Sequence, residues 1–127
     1  MKKVVAVIFG GRSAEHDISI ITAHTPVIQS LLAAGQFDIW PIYIAKDGSW
    51  YADQAMNDMA YFMKDGLEIR LTQQKKVQIL FDNGLQIIWP GFRTRTVHID
   101  IAFPAMHGTY GEDGSLMGFL RMAGIPF

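Results

Sequence analysis

Two short segments hold the residues whose types and spacing can do chemistry. The first, Gly10-Gly11-Arg12-Ser13-Ala14-Glu15-His16-Asp17, follows a β-branched apolar run; the second, His107-Gly108-Thr109-Tyr110-Gly111-Glu112-Asp113-Gly114, follows another. Glycines directly after a strand let the backbone turn sharply and let a ligand approach the start of the next helix. The first loop lacks the G-x-G-x-x-G spacing of a dinucleotide site, and no acidic residue stands about 20 positions on to hold a ribose. Glu15 and Asp17 also disfavour a bare phosphate, which they would repel. A carboxylate at the head of a helix suits an ammonium group. Equally, it can serve only to complement the helix dipole, an effect of roughly 0.3–1 kcal/mol. In the second segment Gly108, Gly111 and Gly114 recur at every third residue and keep the loop open. His107 can donate a hydrogen bond to a carboxylate or a phosphate. Taken alone, that loop reads as well as a turn-rich connection with an exposed histidine.

The elements that must position these loops follow an α/β pattern. Val4 to Phe9 is a continuous apolar run, as in a parallel strand buried on both faces. Helical spacing runs from Ala14 to Leu32; Thr25 and Pro26 suggest a cap and first turn at which the helix kinks or restarts, and Gly35 closes it. Phe37 to Ala45 reads as a second strand, Lys46-Asp47-Gly48 as a turn, Trp50-Tyr51 as a short strand, and Met56 to Met63 as a short helix. Val77–Phe81 and Leu85–Trp89 flank Asp82-Asn83-Gly84, the signal of a hairpin closed by a type I′ turn. Val97 to Phe103 is a further strand ended by Pro104. A helix from about Ser115 to Ala123 with Gly124 after it, and a strand opening at Ile125, complete the chain. The order predicts one three-layer α/β domain over residues 1–127, with a mostly parallel central sheet and an antiparallel hairpin near residues 77–89. In such sheets ligands collect at the loops after the carboxyl ends of the strands.

Composition narrows the class. Half of the 127 residues are hydrophobic and 18% are charged, so the chain can bury one core. A formal net charge of −1 offers no electrostatic case for a nucleic acid or an anionic membrane. With no cysteine there is no disulfide or thiolate chemistry, which fits a reducing cytoplasm. The apolar start is too short for a signal peptide, and no run has the length of a membrane helix. His24 and His98 have no companion at metal-ligand spacing. Trp40, Trp50 and Trp89 read as core or sheet-face aromatics.

Taken together, the two segments resemble the two signatures of the D-alanine–D-alanine ligase family: GGRSAEHDIS the first, FPAMHGTYGEDGSLMGFLRMAGIPF the second, in the expected order. The resemblance implies a Rossmann-like, pre-ATP-grasp domain. It implies a cytoplasmic enzyme that joins two D-alanines at the expense of ATP for peptidoglycan precursors. The carboxylate of the first D-alanine becomes an acyl phosphate, and the amino group of the second attacks it. By the same resemblance Glu15, the catalytic and substrate-binding carboxylate, would hold the ammonium of the first D-alanine. His107 and Gly108 would help to place that substrate near its carboxylate. Gly10, Gly11, Ser13, His16, Gly111 and Gly114 would shape the loops. ATP and Mg2+ (or Mn2+) would be held mostly by ATP-grasp domains beyond this chain, which ends about where they should begin. The 127-residue polypeptide alone is therefore expected to be inactive. The whole protein would have D-alanine and those domains as partners, and a homodimer is possible. Met117 and Arg121 stand where the family more usually has glutamine and glutamate. The alternative reading is a non-catalytic binding module, or a subunit that serves a separate ATP-grasp chain.

Overall fold

A computed structural model of the protein describes residues 2–11, 19–21, 23–81 and 84–105. In chain order its strands are β1 (Lys3–Gly10), β2 (Phe37–Ile44), β3 (Trp50–Ala52), β4 (Gln78–Phe81), β5 (Leu85–Trp89), β6 (Arg95–Ile99) and β7 (Ile101–Pro104). A helix carries residues 19–21, a π-helical stretch covers Ala23–Ile28, and α1 (Gln29–Ala34), α2 (Ala60–Met63) and α3 (Leu67–Thr72) follow. A single 3-10 turn, Gln54–Asn57, precedes α2.

The apolar run at the start becomes the middle of the larger sheet, whose order is β3-β2-β1-β7. β1 pairs in parallel with β2 on one side, from Lys3↔Phe37 to Gly10↔Ile44, and in parallel with β7 on the other. β3 returns antiparallel along β2. Alternate residues of these strands feed two separate cores, as the two-residue period of a strand requires. Val5, Val7, Phe9, Ile39 and Tyr43 face a helical layer that contributes Ile20, Ala23, Ile28 and Met56. Ala6, Ile8, Trp40 and Ile42 face the opposite way, toward Leu85, Ile87 and Ile99.

Those last residues belong to a second sheet, β4-β5-β6, which is antiparallel throughout. The three layers expected from the sequence are present, and one of them is this small sheet. Its hairpin joins β4 to β5 where it is predicted, but the turn differs. Phe81 pairs with Leu85, so three residues lie between the strands, where a type I′ turn has two. Gly84, the last of the three, supplies the positive φ of 125° that this longer connection needs.

Several elements differ from the sequence reading, each for a local reason. The helix does not restart with Thr25 as its cap. It continues through Pro26 as a widened π-helical stretch and then tightens into α1. Proline has no amide hydrogen to give the regular ladder, and a widened turn accommodates that gap. Gly35 ends α1 as expected, with a left-handed φ of 68° and its amide donating to Leu32 O. The single helix expected over Met56–Met63 is split, because the Asp58 carboxylate accepts the Ala60 amide and starts α2 afresh. α3 has no counterpart in the sequence reading. It is held from outside: the Arg70 guanidinium donates to Tyr61 O, Lys64 O and Asp65 O, capping the carboxyl end of α2. The strand expected over Val97–Phe103 is two strands in two different sheets. Asp100 makes the crossing: its amide donates to Val4 O at 2.9 Å, and its carboxylate accepts the Val4 amide at 2.8 Å.

The tryptophans take the sheet-face positions assigned to them, packed on the core between the two sheets. Arg95 lies over Trp40 and Trp89 at 5.2 and 5.1 Å from the ring centroids, and the rings themselves are 5.2 Å apart. Replacing Arg95 with alanine should lower stability by about 0.5–1 kcal/mol, the range for an exposed cation over aromatic faces. A urea titration checks this, and an unchanged midpoint would remove the contact from the account of stability. No described helix is long and apolar enough to cross a membrane.

Candidate functional site at the carboxyl end of the parallel sheet

β1 ends where its two glycines meet the last residue of β2. Gly10 has φ 93° and Gly11 φ 102°, both in the region that favours glycine. A Cβ built on Gly10 would stand 2.2 Å from Ile44 O, so the chain passes this point only without a side chain. The Gly11 amide then donates to the same carbonyl at 2.8 Å. On the far side of the loop the chain returns at Ser19, which is fully buried. The Gly10 amide donates to Ser19 Oγ at 2.7 Å, and that hydroxyl donates to Gly10 O at 3.3 Å. The loop that begins at Gly10 is thus tied at its base by one side chain. The sequence reading overlooked Ser19, although it closes the GGRSAEHDIS segment.

β7, the strand that precedes the second segment, ends at the same end of the sheet. β7 lies against β1 in parallel, with Ile8 opposite Pro104. The Ala105 amide donates to Ile8 O at 2.7 Å, which extends the pairing to the last described residue. Two loops separated by about ninety residues in the chain therefore leave neighbouring parallel strands at one end of the sheet. Gly10 and Gly11, two of the residues named above for shaping the loop, both carry positive φ at this point. Ser13, Glu15, His16, His107, Gly108, Gly111 and Gly114 lie outside the described residues.

A groove of about 910 Å³ opens beside the carboxyl end of β2, with Ile20, Tyr43, Lys46, Met59, Phe62 and Leu71 among its lining residues. Neither Gly10 nor Gly11 lines it. Beside Phe62, burial raises the Tyr61 hydroxyl above its ordinary range, against a hydrogen bond donated by Gln74. Among the described residues no group of three His, Cys, Asp or Glu side chains is placed to hold a metal ion.

Comparison with known proteins decides what this sheet end belongs to. The family model for the D-ala D-ala ligase N-terminus matches residues 4–127. The chain belongs to that family. A D-alanine–D-alanine ligase of Chloroherpeton thalassium is 37% identical over 133 residues, covering 99% of this chain and 34% of that protein. One from Oceanobacillus iheyensis is 34% identical, with 100% of this chain and 34% of the relative covered. Among solved structures, the VanG D-Ala:D-Ser ligase from Enterococcus faecalis superposes with TM-score 0.76 at 30% identity, over 99% of this chain and 35% of the other. The D-alanine–D-alanine ligase from Coxiella burnetii gives 0.75 at 31% identity, over 98% and 34%. The chain thus spans about a third of the length of these relatives. The fold expected for the family's N-terminal region is the fold seen.

Proposed function

We propose that this chain is the N-terminal, substrate-positioning part of an ATP-dependent ligase that joins two D-alanines through D-alanyl phosphate, for peptidoglycan precursors in the cytoplasm. The observation that carries this reading is the parallel pairing of β1 with β7. It sends the glutamate-bearing and the histidine-bearing segments out of adjacent strands at one sheet end, where α/β sheets bind ligands. In this reading Glu15 holds the ammonium of the first D-alanine. His107 and Gly108 lie toward its carboxylate. Gly10, Gly11, Ser13, His16, Gly111 and Gly114 keep the loops in shape.

The contribution to rate is orientation. Holding the first substrate's carboxylate in line with its two reaction partners removes much of the entropy cost of bringing them together. ATP and Mg2+ or Mn2+ belong to ATP-grasp domains supplied by the whole protein, which places this segment as a single domain of a larger enzyme. The described residues do not fit a metal site of their own, and no step is routed through one here.

A chimera tests the reading: residues 1–127 replace the matching third of the Oceanobacillus iheyensis ligase. Phosphate release that depends on both ATP and D-alanine is expected from the chimera and not from residues 1–127 alone. A folded chimera without that activity would remove the ligase reading. Activity in the 127-residue polypeptide would show that the ATP-binding machinery lies within it after all.

A further inference from the structure

His24, in the π-helical stretch, is 1% exposed, and both of its ring nitrogens face carbonyl oxygens. Nδ1 lies 2.7 Å from Ile20 O, one helical turn back, and Nε2 lies 2.7 Å from Met56 O in the 3-10 turn. A carbonyl oxygen can only accept. A neutral imidazole has one N–H, so it satisfies one of these oxygens and sets a nitrogen lone pair against the other; the imidazolium donates to both. Turning the ring over replaces both nitrogens with carbons and loses both bonds.

We infer that His24 is a proton-dependent clamp between the helical segment that follows the Gly10 loop and the Gln54–Asn57 turn, complete in the imidazolium form and half-made in the neutral one. Burial of a cation opposes the complete form. Two charge-assisted hydrogen bonds offset this. So do the rings of Phe9 and Phe62, whose centroids lie 5.1 and 5.3 Å from the imidazole at near-perpendicular angles of 79° and 63°.

The groups facing the ring come from every element packed on it: Phe9 from β1, Ile20 O from its own helix, Met56 O from the turn and Phe62 from α2. Among the described residues, none of the groups facing the ring titrates. The phenols nearest to this cluster, Tyr43 and Tyr61, stack on Phe62 from the side of β2 and from within α2. Loss of the ring proton therefore acts on the clamp itself and removes one of its two donors. The clamp's location gives that loss a direction. Ser19, five residues before His24, ties down the Gly10 loop, so the base of that loop and the Gln54–Asn57 turn are joined through one imidazole.

Nitrogen-15 NMR of the full chain tests this without any substitution. At a pH low enough to protonate the ring His24 should show two slowly exchanging ring N–H protons, while exposed His98 shows none. At a pH high enough to leave the ring neutral one of the two should disappear. A single His24 ring N–H at every pH at which the protein stays folded would overturn the inference.

Discussion

Gly10→Ala is expected to leave little folded protein. Two independent effects add at this position. The left-handed φ of 93° disfavours any residue with a Cβ, by roughly 1–2 kcal/mol. The added carbon would also lie 2.2 Å from Ile44 O, a backbone atom of the neighbouring strand that cannot rotate away. Relief requires β1 and β2 to part at their carboxyl ends. That breaks the Gly11 to Ile44 hydrogen bond and disturbs the Ser19 tie, so the total should reach about 3–5 kcal/mol, a large share of a small domain's stability. Gly35→Ala is the natural comparison. Its φ of 68° is also left-handed, but no atom lies within 4 Å of the added carbon, so only the conformational term of about 1 kcal/mol applies. Denaturant titrations of the two variants separate the effects. If both lose the same amount, the contact with Ile44 is not what excludes a side chain at Gly10.

Glu15→Ala has the largest effect expected on activity. If Glu15 holds the ammonium of the first D-alanine, its removal forfeits a charge-assisted bond worth roughly 1.5–3 kcal/mol, about 10- to 150-fold in kcat/KM for that substrate. On the proposed division of labour, with the nucleotide held by other domains, ATP affinity should change little. His107→Ala should act in the same direction more weakly. The measurement is steady-state kinetics of the whole enzyme with the two D-alanine sites resolved. Unchanged constants at both sites would take Glu15 out of the site, and a loss confined to ATP binding would do so for His107.

The sequence by itself determined much of the frame. A run from Val4 to Phe9 with no polar residue can only be a strand covered on both faces, and β1 is the strand that both cores share. Gly35 could be placed after its helix because a left-handed residue is needed there. The hairpin around residues 82–84 was equally legible, though not its loop length, which depends on how the flanking strands register. The family resemblance rested on two segments whose residue types and order are specific enough to read without a structure.

Other features depend on groups distant in sequence. The stretch from Arg95 to Pro104 alternates like one strand, because the inner faces of both sheets ask for the same apolar residues. Only the pairing of Asp100 with Val4 decides where the chain leaves one sheet for the other. α3 is too short to announce itself by periodicity and is fixed by Arg70 reaching back to the end of α2. His24 gives no sign in the sequence that it will be enclosed, because its second partner, Met56 O, lies 32 residues away. The same holds for the site. The residue types of its two loops are local facts. That the strands leading into them end side by side was decided by β7 adding in parallel beside β1, a pairing between residues about 96 positions apart that no local pattern encodes.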